Sequence, residues 1–215
     1  MHLRGGIGTY SLIKKLLGKD TNKNLAAVSG GLFYLLNIAT VQIFFAPYEV
    51  FTVHFAFLPW LLLLTLKFLQ SNAKKDLIIL GIISFLAIPQ AHVPTLFIVY
   101  LLSLFTVIGF YLLEAKRNGI KRVLSLVIII FVINAYWLLP YIYSTFHNAE
   151  VVSNSKINQM STENIYLRNK AYGDLKSVVL LKGFSLDFID IQNQSDNGYM
   201  MASWRKHTQQ PLFVI

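Results

Sequence analysis

The chain has 215 residues, 55% of them hydrophobic and only 13% charged, with a formal net charge of +9 and no cysteine. A soluble globular domain draws about 25% of its residues from Asp, Glu, Lys and Arg, so this chain has too little polar surface to cover itself in water. The missing cysteines exclude disulfides, thiolate catalysis and cysteine-ligated metals, and do not fix a redox compartment.

Apolar runs follow one another along the chain, separated by gaps that are alternately basic and free of basic residues. Residues 7–17 read as the last turns of a helix, too few to span, and Lys14, Lys15, Lys19 and Lys23 follow in the first basic gap. About 20 apolar residues are needed to cross a hydrocarbon core. Residues 25–46 meet that need, interrupted by Gly30-Gly31, Asn37 and Gln42. Residues 50–70 form the next span, with Pro59-Trp60 in its outer third, and lead to Lys67, Lys74 and Lys75. Residues 76–91 are close to the minimum length and end in Pro89-Gln90. Residues 94–114 and 123–144 are uninterrupted spans, separated by Lys116, Arg117, Lys121 and Arg122. The expected fold is all-α, a polytopic transmembrane helical bundle over residues 1–144.

Lys and Arg hold loops on the cytoplasmic side. The gaps at 14–23, 67–75 and 116–122 are therefore expected inside, and 47–52, 89–94 and everything after 144 outside. Residues 1–144 hold 12 basic and 4 acidic residues, whereas 145–215 hold 7 and 6. The positive excess is thus topogenic, with some attraction to anionic headgroups, and nucleic acid is not an expected partner. Residues 145–215, rich in Asn, Ser and Gln, are expected to form a small extracytoplasmic α/β or irregular region. Within it, 177–181 reads as a short buried strand or helix, and 185–191 alternates like a strand. The opening Met1-His-Leu-Arg-Gly-Gly does not read as a secretory signal. Both ends read as cut, since 211–215 begins an apolar run that stops. The expectation is a piece of a longer membrane protein; a complete protein with an interfacial first helix is the alternative.

The spans carry almost nothing ionisable. Lys67 and Glu114 lie near helix ends, where they can snorkel, and no Asp, Glu, Arg or His lies near a midplane. Coupled transporters keep such groups there, which speaks against one within these residues. The outer face differs. His54 and Glu49 flank the start of one span, His92 sits in the next outer turn, and His147 and Glu150 follow the last span, with Gln90, Tyr48 and Asn148 adding hydrogen-bonding capacity. Imidazoles with carboxylates at a bilayer surface can bind a phosphate headgroup, hold a divalent cation or act as general base. The plainer reading is that polar residues occupy wet loops. Tyr136-Trp-Leu-Leu-Pro-Tyr-Ile-Tyr143 reads as an interfacial aromatic belt, or as a lipid-contact groove. Asn134 needs an internal partner, expected on a neighbouring helix, and Gly30-Gly31 suits close helix packing. The acidic pairs Asp187/Asp190 and Asp190/Asp196 lack a metal-site spacing.

Four motifs in order, Gly31-Leu-Phe-Tyr-Leu-Leu-Asn37, Phe57-Leu-Pro-Trp60, Gln90-Ala-His92 and Asn134-Ala-Tyr-Trp-Leu-Leu-Pro140, carry a family likeness. Over about residues 5–145 the chain resembles prokaryotic membrane glycosyltransferases of the GT-C type, including arabinofuranosyltransferase-like proteins. The resemblance implies an enzyme of the prokaryotic plasma membrane. It would move a sugar from a polyprenyl-phosphate donor to a cell-envelope glycan acceptor on the outer face. It also implies a catalytic acidic residue in an outer loop ahead of residue 1; Glu49 is the weak candidate within the chain. His92 and Gln90, then His54, are the first choices for contacts to phosphate or sugar. A transporter or flippase for a lipid-linked or polysaccharide precursor, and a non-catalytic membrane scaffold, are the competing readings.

Overall fold

A computed structural model describes residues 1–45, 49–114, 118–154, 167, 170–189, 198–208 and 210. The protein is an all-α helical bundle, and the described residues divide into two compact units, 1–35 with 49–153 and 36–48 with 154–215.

In the first unit the helices are α1 (His2–Leu16), α2 (Lys23–Leu36), α4 (Glu49–Ser71), α5 (Lys74–Leu86), α6 (Pro94–Glu114), α7 (Asn118–His147) and α8 (Ala149–Asn154); α3 (Ile38–Phe45) belongs to the second unit. By length and composition α4, α6 and residues Gly119–His147 of α7 can each cross a membrane, and α2 with α3 can supply a fourth crossing. A hydrocarbon environment offers backbone amides no water, so apolar runs of this length must satisfy them internally, as helices.

Two expected spans are not single α-helices, although helix continues through Gly30-Gly31 and through Gln42. The run at 25–46 is interrupted at Asn37, whose side chain accepts a hydrogen bond from the Thr40 amide at 3.0 Å, so a new helix starts there. An Asx contact of this kind competes with continued helix. The run at 76–91 stays α-helical only to Leu86 and then tightens into a 3₁₀ turn over Ile88–His92. Pro89 has no amide to continue the α pattern, and Pro94 fixes the first turn of α6.

Helix α4 is the axis of the first unit, with Ala56, Leu61, Thr65 and Leu69 fully buried along it. It packs against α1, α5, α6, α7 and the 3₁₀ turn. Against α1 the approach is close because glycine lines the contact. A Cβ on Gly5 would overlap the Phe55 ring, and one on Gly8 would lie 2.8 Å from Trp60 Nε1. Gly31 of α2 faces the backbone of α1, where an added Cβ would lie 3.2 Å from the Gly6 carbonyl oxygen, so close packing at Gly30-Gly31 is realised.

Pro59 inside α4 leaves the Phe55 carbonyl without its usual helical donor. The Tyr34 hydroxyl of α2 donates to that oxygen at 2.9 Å, and its ring stacks on Phe55 at 4.2 Å. Arg122 has a second task beside its charge. Its guanidinium donates to the carbonyls of Leu69 (2.6 Å) and Gln70 (3.2 Å), closing the last turn of α4, where a cation is favoured by the helix dipole.

The second unit holds α3, α9 (Leu175–Val179), a 3₁₀ turn over Phe184–Asp187 and α10 (Ala202–Thr208). Its described apolar core is small, centred on Leu186 and Met201. Polar contacts do much of the holding. Gln42 accepts from the Gly183 amide at 2.9 Å and donates to the Leu181 carbonyl at 2.9 Å. Lys182 donates to the Thr208 carbonyl at 2.8 Å, capping α10. Asp187 takes a hydrogen bond from Tyr172 at 2.7 Å and pairs with Arg205 at 3.1 Å, and the Arg205 guanidinium lies over the Tyr199 ring.

The strand expected at 185–191 is not formed among the described residues. Ser185 to Asp187 lie in the 3₁₀ turn, and only Ile189 pairs, in one antiparallel bridge to Tyr199. The segment at 177–181 is helical up to Val179, and Val178 and Val179 are exposed, not buried.

Candidate functional site

Of the polar residues expected at the outer face, hydrogen bonding joins His54 and Gln90. His54 lies five residues into α4, about 7–8 Å along its axis, on a face covered by the 3₁₀ turn that carries Gln90. Both side chains are buried, and His54 Nδ1 meets Gln90 Oε1 at 2.7 Å. A carbonyl oxygen only accepts, so Nδ1 carries the proton, and in its neutral form the ring presents Nε2 as an acceptor. The Gln90 amide nitrogen supplies donors of its own, and an imidazole acceptor or an amide donor can each bind a hydroxyl.

The other candidates lie elsewhere. His92, two residues beyond Gln90, is exposed, and Glu49 is exposed at the start of α4. His147 is exposed and bound to its own helix: Nδ1 donates to the Tyr143 carbonyl at 3.0 Å, and its ring stacks on that of Tyr143 at 4.1 Å. Trp137 meets Phe97 of α6 edge-on at 4.9 Å. His147 is ten residues further along α7, so it stands about 15 Å beyond that contact. Glu150 is exposed on α8. Tyr48, Asp190 and Asp196 lie outside the described residues. Among the described residues no three His, Asp or Glu side chains gather to hold a metal ion.

Asn134 corrects one expectation. It is buried, but its partners are on its own helix: Nδ2 donates to the Ile130 carbonyl at 2.8 Å, and Trp137 Nε1 donates to Oδ1 at 2.9 Å. Trp137 is thereby turned inward, while Tyr136, Tyr141 and Tyr143 remain exposed as interfacial aromatics are. Beside Asn134, α6 and α7 enclose an apolar cleft of about 150 Å³ lined by Phe97, Leu101, Phe105 and Phe131.

The sequence assigns no individual role to three residues that meet at the contact of α1, α2 and α4: His2, Tyr34 and Phe55. His2 Nε2 lies 2.9 Å from the Leu35 carbonyl near the end of α2, and its ring sits against Phe55. Tyr34 of α2 stacks on Phe55, which lies on the face of α4 turned towards α1. A signal existed for each: Gly5-Gly6-Ile-Gly8 is a small-residue run suited to helix contact, and a proline within a span announces an unpaired carbonyl four residues earlier.

No protein family, no curated protein and no solved structure matches this chain.

Proposed function

We propose that this chain belongs to a membrane glycosyltransferase that takes its sugar from a polyprenyl-phosphate donor and passes it to a cell-envelope glycan. One observation carries the reading: each of the four motifs of the GT-C resemblance supplies a residue to a defined contact within the first unit. Tyr34 of the first motif binds the Phe55 carbonyl, Pro59 and Trp60 of the second pack on Gly8, Gln90 of the third binds His54, and Trp137 of the fourth packs on Phe97. In this reading the end that carries His54 and Gln90 faces outward from a prokaryotic plasma membrane, and residues 145–215 are extracytoplasmic. His54 Nε2 and the Gln90 amide take the hydroxyls of the sugar, and the cleft between α6 and α7 receives hydrocarbon of the donor. Burial makes those hydrogen bonds worth more than they would be in water.

The test is equilibrium binding of a panel of radiolabelled polyprenyl-phosphate sugars to the full chain in nanodiscs. His54→Gln and Gln90→Leu should each weaken the recognised donor by about tenfold, since one lost hydrogen bond of about 1.4 kcal/mol is one decade. Leu102→Ala, on the exposed face of α6, should leave binding unchanged. If no donor binds, or if both site variants bind like the parent chain, the reading is lost.

The interrupted helices support a second reading, a transporter or flippase of lipid-linked sugar. Transporters build their sites at discontinuous helices, and the α5–3₁₀ break lies directly beside the His54–Gln90 pair. Proteoliposomes separate the two: transport moves the labelled donor across with its sugar–phosphate bond intact, whereas transfer releases polyprenyl phosphate.

A further inference from the structure

The second unit presents an apolar face that its own core does not use. Leu175, Val178 and Val179 stand at i, i+3 and i+4 of α9, so they share one side of the helix. They are 80%, 57% and 70% exposed. The helix itself is well made: Asp174 caps it by accepting from the Ser177 amide at 3.1 Å. Water would favour polar side chains on such a face, and the same unit uses polar groups at Gln42, Asp187 and Lys182.

What adjoins α9 decides the occupant. Gln42 of α3 grips both the Leu181 carbonyl and the Gly183 amide, so α9 ends two residues before a clamp onto α3. Helix α3 is apolar apart from Thr40 and Gln42, and exposes Phe45. With α2 it has the length and composition of a membrane crossing. Exposed Lys170 and Lys176 lie before and within α9, which suits anionic headgroups. We propose that α9 is an interfacial helix: its Leu175, Val178 and Val179 face is seated in the lipid headgroup layer, and the Gln42 clamp fixes it there. The inference rests on membrane insertion alone and is independent of sugar transfer.

The chain has no cysteine, so single nitroxide labels can be placed on the full chain at Leu175→Cys, Lys176→Cys, Val178→Cys and Val179→Cys. The labelled chain is reconstituted in nanodiscs of mixed phosphatidylcholine and phosphatidylglycerol, and collision rates with oxygen and with a water-soluble nickel chelate are measured. Labels at 175, 178 and 179 should report a depth of about 5–10 Å into the headgroup–acyl boundary, with position 176 closer to water. Equal access of the nickel chelate to all four positions overturns the proposal. Exclusion of both reagents from 175, 178 and 179 also overturns it, because a protein surface, such as a second copy of the chain, then covers the face. A label at Leu102→Cys on α6 must report lipid; if it reports water, membrane insertion itself has failed and the proposal falls with it.

Discussion

The two units are held together by different physics. The first is an apolar bundle around α4 in which glycine admits α1 to close contact, and its side-chain hydrogen bonds are few and isolated, as at Tyr34–Phe55 and His54–Gln90. The second has few described core residues and relies on polar clamps, chiefly Gln42 and the Tyr172–Asp187–Arg205 group. Shape therefore limits the first unit and hydrogen bonding the second. The same kind of substitution should hurt one and spare the other.

The strongest way to break that contrast is to fill the α1 contact. Gly8→Leu places side-chain atoms where Trp60 Nε1 and Pro59 already sit, and overpacking of this kind costs about 1–3 kcal/mol or more. A fall in the melting temperature of the purified protein should accompany faster hydrogen exchange in α1, with exchange in α9 and α10 unchanged. A variant as stable as the parent chain would show that α1 is not held by shape.

Next in size is Gln42→Leu, which keeps the bulk and removes the clamp. The Gly183 amide and Leu181 carbonyl lose their partner, at about 1–3 kcal/mol for unsatisfied groups. Hydrogen exchange around 175–187 should rise while α4 stays protected. Uniform loss of protection across both units would instead mean that they unfold as one.

The smallest effect sharpens the contrast through pH. Burial, and then the hydrogen bond and negative charge of Asp187, push the Tyr172 phenol above its ordinary range. A free tyrosine ionises near pH 10, so the unfolded chain loses this proton before the folded one does. The contribution is complete below about pH 10 and is lost as pH rises towards the folded value. Alkaline titration should loosen residues 172–187 ahead of the α4 bundle, and Tyr172→Phe should flatten that response.

Sequence reading reached the candidate site in part. His54, Gln90 and His92 stand out in the sequence because they fall in or beside gaps without basic residues. Only contact across 36 positions reveals that His54 and Gln90 bond to each other. His147 shares their expected face by charge pattern, yet α7 carries it beyond the Trp137–Phe97 contact, and its ring nitrogen turns back to its own backbone. In the sequence Gln42 reads only as an interruption in a span, although it clamps two backbone groups about 140 residues away.

By itself the sequence determined the helical class, three of the crossing segments and the interruption at Asn37. Each of these follows from local composition, because a long apolar run must bond its own backbone, and a proline or an Asx side chain disturbs that ladder where it stands. Tertiary structure decided which polar groups pair, which glycines touch, that Arg122 closes α4 and that Asn134 is satisfied within its own helix. Those outcomes depend on side-chain direction and on distances between segments remote in the chain, quantities that no window of residues contains.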